Sequence, residues 1–113
     1  MKATRYGFNP DYAQDEPTLD EVQALSGPAV LEFGAPWCGH CRAARASVEQ
    51  ALRDHPELLH IKIHDGKGKP LGRAFDVKRW PTLIFLQDGK EVERLVRPRT
   101  LDAVRQALEK ITS

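Results

Sequence analysis

Apolar residues recur along this chain with two periods, and the breaks between them mark the elements. Thr18-Leu19-Asp20-Glu21 has the form of a capping box, with Thr18 capping and Glu21 reaching back. Leu19, Val22 and Leu25 then share a helical face until Gly27-Pro28 stop the helix. Ala29 to Gly34 is a short apolar strand. From Cys38 to about Asp54 the period is helical: Ala44, Val48, Ala51 and Leu52 form the stripe, and the arginines and Glu49 face water. Leu59 to Asp65 alternates, Ile61 and Ile63 on one face and His60, Lys62 and His64 on the other, which predicts a strand with one wet face.

Gly66 to Gly72 reads as a loop and Leu71 to Val77 as a short helix. Thr82 to Leu86 is the most apolar strand; Asp88-Gly89 is a hairpin turn, and Val92 to Val96 the returning strand. Thr100 caps a final helix with Leu101, Val104, Leu108 and Ile111 inward. Residues 1–17 carry Gly7, Pro10 and Pro17 without a clear period. They read as a mostly irregular arm, with one short strand expected near Tyr12-Ala13-Gln14, ahead of a single domain at 18–113. The order (β)αβαβαββα predicts an α/β fold: helix crossovers between parallel strands, a final antiparallel hairpin, and a mixed sheet with helices on both faces.

Composition narrows the function classes. A chain of 113 residues with 41% apolar and 29% charged residues supports one core. A net charge of +1 gives no electrostatic reason to expect nucleic acid or an anionic membrane as partner. No apolar run approaches the roughly 18 residues that span a bilayer. Met1 to Phe8 lacks the apolar core of a signal peptide, so the expected location is cytoplasmic, or periplasmic for a chain whose leader has been removed. A monomer is expected.

The only two cysteines stand in Trp37-Cys38-Gly39-His40-Cys41, between a strand and a helix. A ring this small constrains the unfolded chain little, so reactivity explains the pair better than cross-linking. Thiolate is the nucleophile, and free N–H groups and the positive end of a helix favour it at Cys38. Cys41, one turn on and more buried, would resolve the mixed disulfide, so the two form the redox disulfide. His40, when protonated, would stabilise the thiolate and make the disulfide a stronger oxidant. Glu32 is an acid in an apolar strand; burial should raise its pKa and let it take the proton that Cys41 loses. Trp80-Pro81-Thr82 opens the apolar strand, where proline fits because it donates no ladder hydrogen bond.

Together these residues resemble the thioredoxin superfamily: Trp37-Cys38-Gly39-His40-Cys41 with Glu32-Phe33 before it, Pro81-Thr82, and Asp88-Gly89-Lys90, over roughly residues 18 to 111. The resemblance implies a central sheet of four to five strands flanked by four helices. It also implies a cis Pro81 packed against the sulfurs and a substrate groove formed by Trp37, Trp80, Pro81 and Thr82. The string from Glu32 to Cys41 is similar to that of protein disulfide isomerases except at Gly34, where they carry an aromatic. Arg99 falls near an arginine that in the isomerases can approach the second cysteine. Lys62 is similar in place to a thioredoxin lysine that tunes the buried acid. Three departures bear on partners: Ala46 replaces a helix-kinking proline, Trp80 a small aliphatic residue, and Val96-Arg97-Pro98 a glycine-bearing loop.

Gly66-Lys67-Gly68-Lys69 completes no phosphate-binding pattern, and His60 and His64 read as solvated. Three functions follow in order of support. The first is an enzyme exchanging electrons with protein disulfides, needing a recycling reductant or reductase and no cofactor or metal. The second is a redox-sensing adaptor that switches partner binding. The third is a zinc or iron–sulfur module, for which one chain offers only two thiolates.

Overall fold

The computed structural model describes residues 3–112; Met1, Lys2 and Ser113, the outer ends of the expected arm and domain, lie outside it. Each helix begins where its cap chemistry requires. Thr18 Oγ1 accepts from Glu21 N at 3.1 Å while the Glu21 carboxylate accepts from Thr18 N at 2.9 Å, which starts α1 (Leu19–Gln23). Cys38 is the N-cap of α2 (Gly39–Arg53), and Thr100 Oγ1 accepts from Ala103 N at the start of α4 (Leu101–Thr112). The short α3 (Pro70–Ala74) opens on proline, whose fixed φ suits the first turn.

Among the described residues five strands form one sheet in the order β1-β3-β2-β4-β5: β1 (Thr4–Tyr6), β2 (Pro28–Gly34), β3 (Leu59–His64), β4 (Thr82–Gln87) and β5 (Lys90–Val96). β2 runs parallel to β3, while β4 pairs antiparallel with β2 and β5. Asp88 and Gly89 take φ of 52° and 78°, as a tight two-residue hairpin needs. A Cβ on Gly89 would lie 2.2 Å from Gln23 O, so only glycine fits there.

Two expectations are corrected. The segment through α3 is not a parallel crossover. β3 ends at His64 opposite Gly34, and β4 begins at Thr82 opposite Phe33, so the chain re-enters the sheet at the end it left. The arm also joins the sheet. Thr4–Tyr6 pairs with β3, and the strand expected near Tyr12 reduces to a single bridge between Ala13 and Ile63. Three paired residues are too few to leave a period in the sequence.

Side chains alternate across the strands and fill two cores. Val30, Leu83 and Phe85 pack under α2 and α4 with Val48, Leu52 and Leu108. Leu31, Phe33, Ile61, Ile63, Ile84 and Leu86 form the opposite core, under Val22 and Leu71. The topology gathers the C-terminal ends of β2 and β3 and the start of β4 at one edge, and the Cys38–Cys41 segment sits there.

Candidate active site

β2 delivers the chain to α2 through Ala35-Pro36-Trp37, and the turn is closed by Cys38 N donating to Ala35 O at 3.2 Å. Cys38, with extended backbone (φ −77°, ψ 120°), caps the helix with sulfur: its Sγ accepts from Cys41 N at 3.3 Å. Both cysteines are reduced, Cys38 8% exposed and Cys41 4%, and of the two only Cys38 borders the groove that lies above them. Burial pushes the Cys41 thiol up to about 11, with the Cys38 sulfur adding to the effect. The pair is therefore asymmetric: one sulfur accepts a backbone N–H at the helix start, the other holds its proton.

Above the sulfurs lies a groove of about 440 Å³ bordered by Trp37, Cys38, Trp80, Lys78, Arg79 and Arg97. Trp37 is 66% exposed and meets Trp80 edge-to-face, ring centroids 5.5 Å apart. Trp80 Nε1 donates to Asp65 Oδ2 at 3.0 Å, which fixes the indole as a wall. The Trp80–Pro81 peptide is cis. Pro81 and Thr82 are buried, Thr82 Oγ1 donating to Arg79 O at 2.6 Å. His40 is exposed and borders the groove. Arg99 lies by His40 and Arg97 in a neighbouring hollow rather than at Cys41.

Beneath the sulfurs the sequence reading needs its largest correction. Most of the β3 face expected to be wet is dry: His60 is fully buried and Lys62 is 3% exposed, and only His64 at the strand's end stays half-exposed. The arm covers it. Lys62 Nζ donates to Pro10 O at 3.2 Å and sits 4.3 Å from the centre of the Tyr12 ring. Burial pulls the Lys62 ammonium below the usual lysine range, an effect opposed by Glu32. Asn9 N donates to His60 Nδ1 at 2.9 Å, so Nδ1 is the acceptor and Nε2 carries the proton. That Nε2–H meets Glu32 Oε1 at 2.9 Å, and Tyr12 Oη donates to Glu32 Oε2 at 2.7 Å.

Glu32 consequently departs from expectation. Burial alone would raise its pKa, but the hydrogen bonds from His60 and Tyr12 and the nearby Lys62 ammonium outweigh it and hold the carboxyl below the usual range. Alternation along β3 identifies which residues share a face; it does not say what covers that face. One signal was available. An acid inside the central strand requires partners, and register places His60 and Lys62 on its side of the neighbouring strand.

Tyr12 is the site residue that sequence reasoning passed over, having read it only as strand. Its clue was Gly34: a Cβ there would come within 2.7 Å of both Cys41 Sγ and Tyr12 Oη, so the missing side chain makes room for the arm's phenol. Burial pushes the Tyr12 phenol up, and the Glu32 carboxylate adds to this, so it stays protonated and remains a donor.

The thioredoxin family model matches residues 12–110. Among curated relatives, the protein disulfide-isomerase of Triticum aestivum is 36% identical over 99 residues, covering 81% of this chain and 19% of its own length. That of Zea mays is 32% identical over 103 residues, covering 85% of this chain and 20% of its own. The chain thus spans about a fifth of those relatives. Among solved structures, thioredoxin 2 from Pseudomonas aeruginosa PAO1 in its reduced form is 44% identical with a TM-score of 0.82, covering 92% of this chain and 96% of that one.

Proposed function

The chain belongs to the thioredoxin family, and from that premise we propose that it exchanges electrons between its Cys38–Cys41 pair and protein disulfides. The observation that carries the assignment of roles is the asymmetry of the two sulfurs. Cys38 Sγ caps α2 and accepts the Cys41 N–H, while burial keeps the Cys41 thiol protonated. Cys38 attacks one sulfur of the substrate disulfide, which breaks and releases its other half as a thiolate. Cys41 then loses its proton and attacks Cys38 Sγ, and the second substrate thiolate leaves. Two electrons pass to the substrate, and an external dithiol or reductase must restore the pair.

The groove supports one class of substrate over others. The two tryptophans offer a flat apolar contact beside Cys38, and Lys78, Arg79 and Arg97 form a cationic rim. That rim favours peptide segments carrying acidic residues next to the disulfide. In an insulin-reduction assay with dithiothreitol, wild type accelerates precipitation and Cys38→Ser does not. Equal rates for the two proteins would refute the exchange reading.

A further inference from the structure

Cys41 cannot resolve a mixed disulfide until it loses its proton, and the buried acid long enough to receive one does not touch it through any contact of its own. The hydroxyl between them is that of Tyr12. It donates to Glu32 Oε2 at 2.7 Å and borders, with Cys41 Sγ, the hollow left by Gly34. The arm holds it there: Ala13 N donates to Lys62 O at 3.0 Å, and Ala13 O accepts from His64 N at 2.9 Å. Behind Glu32, the chain of donors continues through His60 Nε2 to Asn9 N.

We propose that the Tyr12 hydroxyl carries the proton that Cys41 gives up during resolution, relaying it to Glu32. The proposal rests on the thiol-exchange reading above. The Cys41 S–H proton moves to Tyr12 Oη as the Tyr12 proton moves to Glu32 Oε2. The Cys41–Cys38 S–S bond forms and the bond from Cys38 to the substrate sulfur breaks, its electron pair leaving with the substrate thiolate. That thiolate takes a proton from solvent. Glu32 later returns its proton through the same hydroxyl to water in the open hollow beside Cys41 and Lys62. Because Glu32 is held below the usual carboxylate range, the transfer is uphill and is completed only as sulfur attack consumes the thiolate. The Lys62 ammonium over the Tyr12 ring stabilises negative charge on the oxygen during the relay.

Tyr12→Phe keeps the ring and removes the relay. A peptide disulfide with a chromophoric leaving thiol, followed by rapid quench from pH 6 to 9, reports attack by Cys38 and resolution by Cys41 separately. Wild type should resolve with little pH dependence. In Tyr12→Phe the ratio of resolution to attack should fall by about tenfold or more at pH 7, then climb with hydroxide. Glu32→Gln should reproduce that profile, and the double variant should be no slower than either single one. The proposal is overturned if Tyr12→Phe keeps the wild-type ratio. It is overturned equally if the ratio drops by one factor at every pH, which marks a loosened arm, or if the two substitutions compound. A wild-type protein that forms no mixed disulfide would sink the exchange reading and this proposal with it; a normal wild type beside an unaltered Tyr12→Phe sinks this proposal alone.

Discussion

The two faces of the sheet solve the same packing problem with different materials. Under α1 and α3 the inward side chains are apolar but for Thr82 at the start of β4, with Leu31, Ile61, Ile63, Ile84 and Leu86 interlocked. Toward α2 and the arm, the same strands alternate Val30 and Leu83 with Glu32, His60 and Lys62. The first face is held by burial, which is indifferent to which hydrophobe supplies the area. The second joins an apolar core under α2 and α4 to a set of directed hydrogen bonds that must all be present, since a buried carboxylate without partners is costly. The polar face is the one beneath the sulfurs. The sheet therefore separates a half that stabilises from a half that also sets proton positions.

The largest effect should come from breaking the apolar half. Ile84 is fully buried in the core of the α1–α3 face. Ile84→Ala should lower unfolding free energy by about 2–5 kcal/mol through lost transfer energy and a residual cavity. The reduction potential of the dithiol should stay at the wild-type value in a glutathione titration, because Ile84 packs in the cluster of the α1–α3 face and the sulfurs in another. A shifted potential would show that the two halves are not separable.

The next effect lies in the polar half. His60→Leu leaves Glu32 Oε1 without its donor, a loss of about 1–3 kcal/mol at neutral pH. The pH dependence sharpens the comparison. In wild type the folded-state pKa of Glu32 is depressed, so its stabilisation is present above the unfolded value near 4.5 and is lost as pH falls through the folded value. Without His60, burial pushes that pKa upward, which favours the folded state in acid and is lost as pH rises. The stability deficit of His60→Leu against wild type should therefore be greatest near pH 7 and shrink below pH 4.5. Chemical denaturation at pH 7 and pH 4 measures it; a constant deficit would mean that His60 acts only by packing.

The helices, turns and apolar stripes on both faces of the sheet were readable from the sequence because their information is local. The capping box at Thr18, the α2 stripe of Ala44, Val48, Ala51 and Leu52, and the Asp88-Gly89 turn each encode their element within a few residues. The dithiol was readable from a contiguous motif; of the residues expected to form the groove, Trp37 and Trp80 line it, while Pro81 and Thr82 are buried and do not border it. The polar half was not readable, because it depends on contacts across long sequence distances. Tyr12 reaches Glu32 over 20 residues and Asn9 reaches His60 over 51. An alternating strand reads as half exposed until something is found to cover it. The cover is an arm whose two prolines and glycine hide any period. The raised pKa expected of Glu32 failed for the same reason: burial was visible in the sequence and its partners were not.

The smallest effect belongs to the rim, outside both halves. His40 is exposed at the second residue of α2, and no contact ties it to either core. His40→Pro removes an imidazole that borders the same groove as Cys38 and one of the free N–H groups at the helix start, two groups able to meet negative charge on the attacking sulfur. Proline is tolerated in a first helical turn, so folding should survive. With the thiolate less stabilised, the reduced state loses ground and the disulfide becomes harder to reduce. Thioredoxin and the isomerase differ by roughly 90 mV, and one position of several should supply about 30 mV, equal to about 1.4 kcal/mol. Glutathione titration should show that shift toward reducing potentials with the unfolding free energy of the oxidised protein changed by less than about 0.5 kcal/mol. A potential that does not move would remove His40 from the tuning of the site and leave the helix cap and the polar half to set it.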